Sequence, residues 1–153
     1  MAKIRVGLLG AGGIGRVHAE AYREIEGAQL VAVADARHEA ADKLAEAHGA
    51  RAYYDGQALL ADGQVDLVDV CLPTYLHAQA VVEAAAAGKH VLCEKPVALD
   101  RAQADAMVEA VERAGVMAMV AQVVRFMPHY RLIKELVDRG ELGRPLMAAA
   151  ARL

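Results

Sequence analysis

The chain has 153 residues, 56% hydrophobic and 24% charged, with a net charge of −3. That length suits one domain with a substantial core, and the interleaved acids and bases exclude a nucleic-acid surface or a basic membrane face. No apolar run is long enough to span a bilayer, and Met1-Ala2-Lys3 leaves no room for a signal peptide before the first strand. A soluble, cytoplasmic protein with neither nucleic acid nor membrane as a partner is the expectation.

An apolar run, residues 4–9, reads as a buried strand. Gly10-Ala11-Gly12-Gly13-Ile14-Gly15 follows and opens a helix whose apolar face is predicted as Ile14, Val17, Ala21, Tyr22 and Ile25. A second strand covers residues 30–34, a second helix 39–48 stops at Gly49, and a short third strand covers 51–54. A brief helix starts at Gln57, Asp62-Gly63 makes a turn, and residues 66–72 form the fourth strand. A helix over 74–87 ends at Gly88, residues 90–93 are strand five, and Asp100 caps a helix carrying Met107, Val108, Val111 and Ala114 on its apolar face. That helix stops at Gly115, and residues 117–124 are strand six. Alternating strands and helices with near-continuous apolar strands predict an α/β fold: a doubly wound parallel sheet of six strands, in the order 3-2-1-4-5-6 of a Rossmann domain.

The glycine turn is G-x-G-x-x-G between a strand and a helix, and Asp35 stands 20 residues after Gly15 at the end of the second strand. Together they describe the phosphate and ribose grips of a dinucleotide-binding unit. Gly10 permits the tight turn. A side chain at Gly12 would hold a pyrophosphate away from the backbone, and Gly15 lets the helix pack closely on the sheet. Gly13 and Ile14 lie at the helix start, where unpaired N–H groups and the helix dipole favour phosphate. Asp35 would accept from the ribose hydroxyls. A 2′-phosphate beside that carboxylate would cost about 4 kcal/mol at ~4 Å and an effective dielectric near ~20. NAD is therefore expected in preference to NADP, although Arg37 could pair with such a phosphate.

Cys71 and Cys93 make no disulfide framework and read as buried free thiols. The six histidines show no metal-ligand spacing, so no metal is expected. After strand six comes a helix with Phe126, Tyr130, Ile133, Leu136 and Val137, then Gly143-Arg144-Pro145 and an apolar tail, residues 146–153, that reads as one further strand. The domain division expected is 1–124 for the dinucleotide-binding domain, and 125–153 for a linking helix and the first strand of a second, absent domain.

Leu72-Pro73-Thr74-Tyr75-Leu76-His77 and Gly88-Lys89-His90-Val91-Leu92-Cys93-Glu94-Lys95-Pro96 resemble two signatures of the glucose–fructose oxidoreductase/inositol dehydrogenase (Gfo/Idh/MocA) family. The resemblance covers essentially the whole chain, and the Glu-Lys-Pro segment is its most specific part. It implies hydride transfer between a nicotinamide cofactor and a sugar, cyclic polyol or related hydroxy compound. By the same resemblance Lys95 is catalytic, reaching substrate hydroxyl and nicotinamide ribose, and Glu94 lines the nicotinamide side. Pro73, Thr74 and His77 lie near the cofactor, and the Lys95–Pro96 bond is cis. Full members also carry a C-terminal α/β substrate domain with further catalytic groups. His129 does not match that domain's histidine, so this chain is expected to bind cofactor but to be inactive alone.

Two other readings stand beside this one. The chain could be a non-catalytic NAD(H)-binding module or subunit, with its apolar tail joining a partner or a second copy in a homo-oligomer. An S-adenosylmethionine methyltransferase is disfavoured, since Gly7-Leu8-Leu9 precedes the glycines where such enzymes usually carry an acid.

Overall fold

Near-continuous apolar strands call for a sheet covered on both faces, and the computed structural model, which describes residues 2–149, buries its four central strands in that way while the two edge strands stay more open. The strands are β1 (Ile4–Leu9), β2 (Ala28–Ala34), β3 (Arg51–Tyr53), β4 (Leu67–Val70), β5 (His90–Cys93) and β6 (Ala118–Val120). The helices are α1 (Gly13–Ala21), α2 (His38–His48), α3 (Gly56–Leu60), α4 (His77–Ala86), α5 (Arg101–Ala114) and α6 (Pro128–Asp138). Every ladder is parallel and the order is β3-β2-β1-β4-β5-β6, the doubly wound topology predicted. The chain divides into two units, Met1–Ala121 and Gln122–Leu153.

In the first unit, Val6, Leu8, Leu30, Val33 and Cys71 form one cluster with Ala19 of α1 and with Leu44 and Ala45 of α2. Leu9, Ala34, Val68, Val70, Val91 and Cys93 form another, with Leu59 and Leu60 of α3, Val81 and Ala84 of α4, and Met107 of α5. Burial of apolar area at about 25 cal/mol per Å² on both faces is what holds so short a set of strands together. Asp55 and Asp100 accept main-chain N–H groups at the starts of α3 and α5, as N-caps do.

Several elements differ from the sequence reading. Helix α1 ends at Ala21, so Ile25 lies beyond it, and on the helix Ile14, Val17 and Ala21 are exposed while Gly15 and Ala19 are the buried positions. The helix lies so close to the turn before it that only small residues fit beneath it: a Cβ on Gly15 would stand 1.9 Å from the Gly10 carbonyl oxygen. Residues 74–76 form a 3₁₀ turn, and α4 begins only at His77. Strand six is shorter than predicted and is an edge strand, with Met119 exposed.

In the second unit a 3₁₀ turn, Val123–Phe126, precedes α6, so Phe126 lies before the helix and Tyr130 and Ile133 within it. Of the predicted final strand, residues 146–149 carry neither helix nor strand, and residues 150–153 lie outside the described residues. No helix is long and apolar enough to cross a membrane among the described residues.

At the N-terminal edge of the sheet Arg5 grips Asp66 with a two-pronged ion pair, Nε to Oδ2 at 2.9 Å and Nη2 to Oδ1 at 2.6 Å. The Arg5 N–H also donates to Asp66, and the Asp66 N–H returns a bond to the Arg5 carbonyl. These hydrogen bonds hold the Asp66 carboxyl at a pKa of about 2, below its ordinary 3.8. The stabilisation is therefore complete above about pH 4 and is lost as pH falls toward about 2. Asp66→Asn should lower the melting temperature at neutral pH, with the gap to the native chain closing across that acid window. Gly15→Ala should cost about 3 kcal/mol or more by thermal denaturation. Gly12→Ala, whose Cβ meets nothing within 4 Å, should stay within about 1 kcal/mol of the native chain.

Candidate cofactor site

β1 pairs with β2 on one side and β4 on the other, so the chain leaves the ends of β1 and β4 in opposite directions and opens a crevice between them. The glycine turn fills the β1 side. Gly10 has φ +102, and a Cβ there would stand 2.6 Å from the Cys71 carbonyl oxygen. Backbone geometry and close approach both require glycine at that position. Gly12 and Gly13 by contrast face open space. No side chain caps α1, so its first-turn N–H groups have no intrahelical acceptor and point into that space.

Asp35 does more than stand at the end of β2. Its Oδ2 accepts the Ala11 N–H at 2.8 Å, pinning the glycine turn, and its Oδ1 accepts the Arg37 N–H at 2.9 Å. The exposed Arg37 guanidinium folds back on the same carboxylate, at 3.1 Å to each oxygen. Partial burial works against the charge on Asp35, but the bonds from Arg37 and Ala11 outweigh it and keep the carboxyl below its ordinary range. Beside it opens a recess of about 300 Å³ lined by Leu9, Ala36, Tyr54, Leu72, Leu76 and Gln79, among others. The size and mostly apolar lining suit one flat ring system. A wider recess of about 450 Å³ lies by Lys3, Arg23, Glu26 and Gln29, where the strands begin rather than end.

The β4 and β5 ends form the other wall. Pro73 and Thr74 begin the 3₁₀ turn, with Leu76 N–H donating to the Pro73 carbonyl. His77 is 1% exposed, and its ring nitrogens lie 2.8 Å from the Leu72 and Pro96 carbonyl oxygens. It thereby ties the loop after β4 to the turn after β5 and offers the open crevice no free polar atom. Glu94 is buried, and its Oε2 accepts the Lys95 N–H at 2.8 Å. The Lys95–Pro96 bond is cis. Lys95 is exposed, and its ammonium has no partner among the described residues.

One group of side chains went unseen in the sequence. Asp69, in the middle of β4 and fully buried, accepts from the Tyr22 hydroxyl at 2.9 Å and lies 2.9 Å from His18 Nδ1. His18 Nε2 lies 3.2 Å from Glu94 Oε1, and the Cys71 thiol donates to Asp69 at 3.6 Å. The Asp69 bond raises the His18 pKa against the effect of burial. Burial pushes the Cys71 thiol up, and Cys93 up to about 12, so both stay protonated as buried free thiols. His18, Asp69 and Cys71 lie within 4.8 Å of one another, but their polar atoms already satisfy each other as a hydrogen-bond network. The readable signals were a charged residue inside an apolar strand and a His–Tyr pair four apart on α1.

Comparison with known proteins places this geometry. A profile of the Gfo/Idh/MocA oxidoreductase family, NAD-binding Rossmann fold, matches residues 4–122. The chain is 38% identical over 143 residues to the myo-inositol 2-dehydrogenase of Thermotoga maritima, covering 93% of this chain and 43% of that one. Among solved structures, a dehydrogenase from Bordetella pertussis in complex with NADH and UDP-GlcNAcA superposes with a TM-score of 0.88 at 35% identity, over 93% of this chain and 44% of that one. A 3-ketoreductase from Actinomadura kijaniata in complex with NADP gives 0.85 at 32%, over 93% and 46%. The chain thus spans less than half the length of these relatives. With the glycine turn, the β1–β4 crevice and the profile in agreement, it belongs to the Gfo/Idh/MocA family of NAD(P)-dependent oxidoreductases, as an NAD-binding Rossmann fold.

Proposed function

We propose that this chain binds NAD(H) across the β1–β4 crevice, as the nucleotide-binding part of an enzyme that oxidises or reduces a sugar, cyclic polyol or related hydroxy compound. The observation that carries the reading is the cradle above Gly12 and Gly13. It is empty space that a Cβ would enter without contact, faced by an uncapped helix N-terminus and flanked by Asp35 and the 300 Å³ recess. The N–H groups of Gly12, Gly13 and Ile14 would hold the pyrophosphate, with Gly10 and Gly15 shaping the turn. The recess would take the adenine. The nicotinamide supplies the hydride chemistry when bound.

The protein's part is to bind, orient and polarise. Asp35 accepts the ribose hydroxyls, which then share or displace the Arg37 guanidinium. With a 2′-phosphate, Arg37 would have to leave Asp35 to pair with it, and the carboxylate would remain as a repulsive neighbour. Pro73 and Thr74 border the cofactor, and His77 acts on it through the two loops that it ties. Lys95 is the catalytic residue, its exposed ammonium positioned to hold a substrate oxygen as negative charge develops there. The relatives that this chain matches are more than twice as long, and the part of them beyond the match would complete the substrate pocket, so this chain alone should show little turnover.

A fluorescence titration with NADH and NADPH tests the reading. We expect saturable binding that favours NADH by about tenfold or more, in line with the repulsion at Asp35. Asp35→Ala should narrow that preference. Gly12→Val should weaken NADH by more than about tenfold by obstructing the pyrophosphate, with circular dichroism unchanged. Preference for NADPH would move the discriminating role to Arg37. Absence of binding to either would overturn the proposal.

A further inference from the structure

We propose that His18 is a positioning residue whose ring donates from both nitrogens, to Asp69 on β4 and to Glu94 after β5, and thereby fixes the Glu94-Lys95-Pro96 turn relative to α1. The inference deepens the cofactor reading and rests on it. It concerns a residue outside the glycine turn and the Glu-Lys-Pro segment.

The argument is a count of donors. Asp69 is fully buried and Glu94 is 4% exposed, while the His18 side chain between them is 14% exposed. Nδ1 stands 2.9 Å from Asp69 Oδ2 and Nε2 stands 3.2 Å from Glu94 Oε1. A neutral imidazole has one N–H, so between two carboxylates it could satisfy only one of these contacts. The other would set lone pair against lone pair. Asp69 also receives the Tyr22 hydroxyl, and the Cys71 sulfur lies 3.4 Å from His18 Nδ1 and 3.6 Å from Asp69 Oδ1. The arrangement closes if His18 is an imidazolium bridging two carboxylates. The groups facing its ring are Asp69 and Cys71 from the β4 side and Glu94 from the β5 side, with Tyr22 of its own helix at Asp69.

The bridge continues to the reacting end. Glu94 Oε1 faces His18 and Glu94 Oε2 accepts the Lys95 N–H. A continuous set of hydrogen bonds therefore runs from the helix that would hold the pyrophosphate to the backbone of the lysine that would face the substrate. Without the imidazolium, Glu94 would be a buried carboxylate left with one donor and close to a second negative charge. Such a group is costly to keep buried, and the Lys95 turn would lose its anchor. The nicotinamide half of the cofactor depends on that turn, and the ADP-ribose half does not.

The test uses this chain. NMR of its histidine rings near neutral pH should show both His18 nitrogens protonated in the native chain, a signature that Glu94→Gln or Asp69→Asn removes. A neutral single tautomer at His18 would overturn the proposal without any variant having to fold. The second measurement compares NADH with ADP-ribose. His18→Gln should weaken NADH about tenfold, the cost of one charge-assisted hydrogen bond, and leave ADP-ribose within about twofold. Equal losses for both ligands, or no loss for either, would overturn the positioning role. If the native chain binds neither ligand, the cofactor reading itself falls and this role with it, a result distinct from binding that is indifferent to His18.

Discussion

The constraint on which the rest depends is that β1 is paired on both sides, by β2 and by β4, so two successive crossovers leave it in opposite directions. A parallel sheet wound this way must leave a crevice at the carboxyl ends of β1 and β4, because no helix can cover both exits. The Arg5–Asp66 ion pair fastens the two strands at their other ends. At the crevice the chain must turn sharply, begin a helix and stay out of the space above. Gly10, Gly12 and Gly15 meet those three demands separately. At Gly10 and Gly15 an added Cβ would strike the Cys71 and Gly10 carbonyl groups, and at Gly12 it would enter empty space.

Much of this was legible in the chain. Six apolar runs separated by helical patterns gave the topology, and a glycine turn with an acid at the right distance gave the crevice its content. Less legible was how each element turns its faces. Periodicity assigns the buried stripe of a helix by the size of its apolar residues, and on α1 that rule placed Ile14, Val17 and Ile25 inward. The contact at Gly15 excludes large side chains from the buried face, so Ala19 lies on it and Ile14 and Val17 lie outside, while Ile25 falls beyond the end of the helix. On α5 the same rule held for Met107, which packs with Val81 and Ala84 of α4, but Val108 is exposed beside an open recess that separates the helix from β6. The partners of Asp69 were hidden for a different reason. A lone acid in an apolar strand has no local partner in sequence, and His18, Tyr22 and Glu94 reach it only through the fold.

The polar groups around the crevice are held by the protein itself. Asp35 bonds the glycine turn and Arg37, the His77 ring is held between two loop carbonyls, and Glu94 bonds His18 and the Lys95 backbone. Such pre-organisation lowers the ordering cost of binding. Lys95 is the contrasting case, exposed at the mouth with an ammonium that has no partner among the described residues. On the proposed reading, cofactor choice turns on Asp35, since the carboxylate that pins the glycine turn would also have to accept the ribose.

The most direct measurement is the map of backbone amide shifts by NMR as NADH is added to the native chain. The account predicts that the largest shifts fall on Gly10 to Gly15, Asp35 to Arg37, Leu72 to Thr74 and Glu94 to Lys95, with the N-terminal edge of the sheet unmoved. Shifts centred on the recess by Lys3, Arg23, Glu26 and Gln29, or spread evenly over the surface, would contradict it.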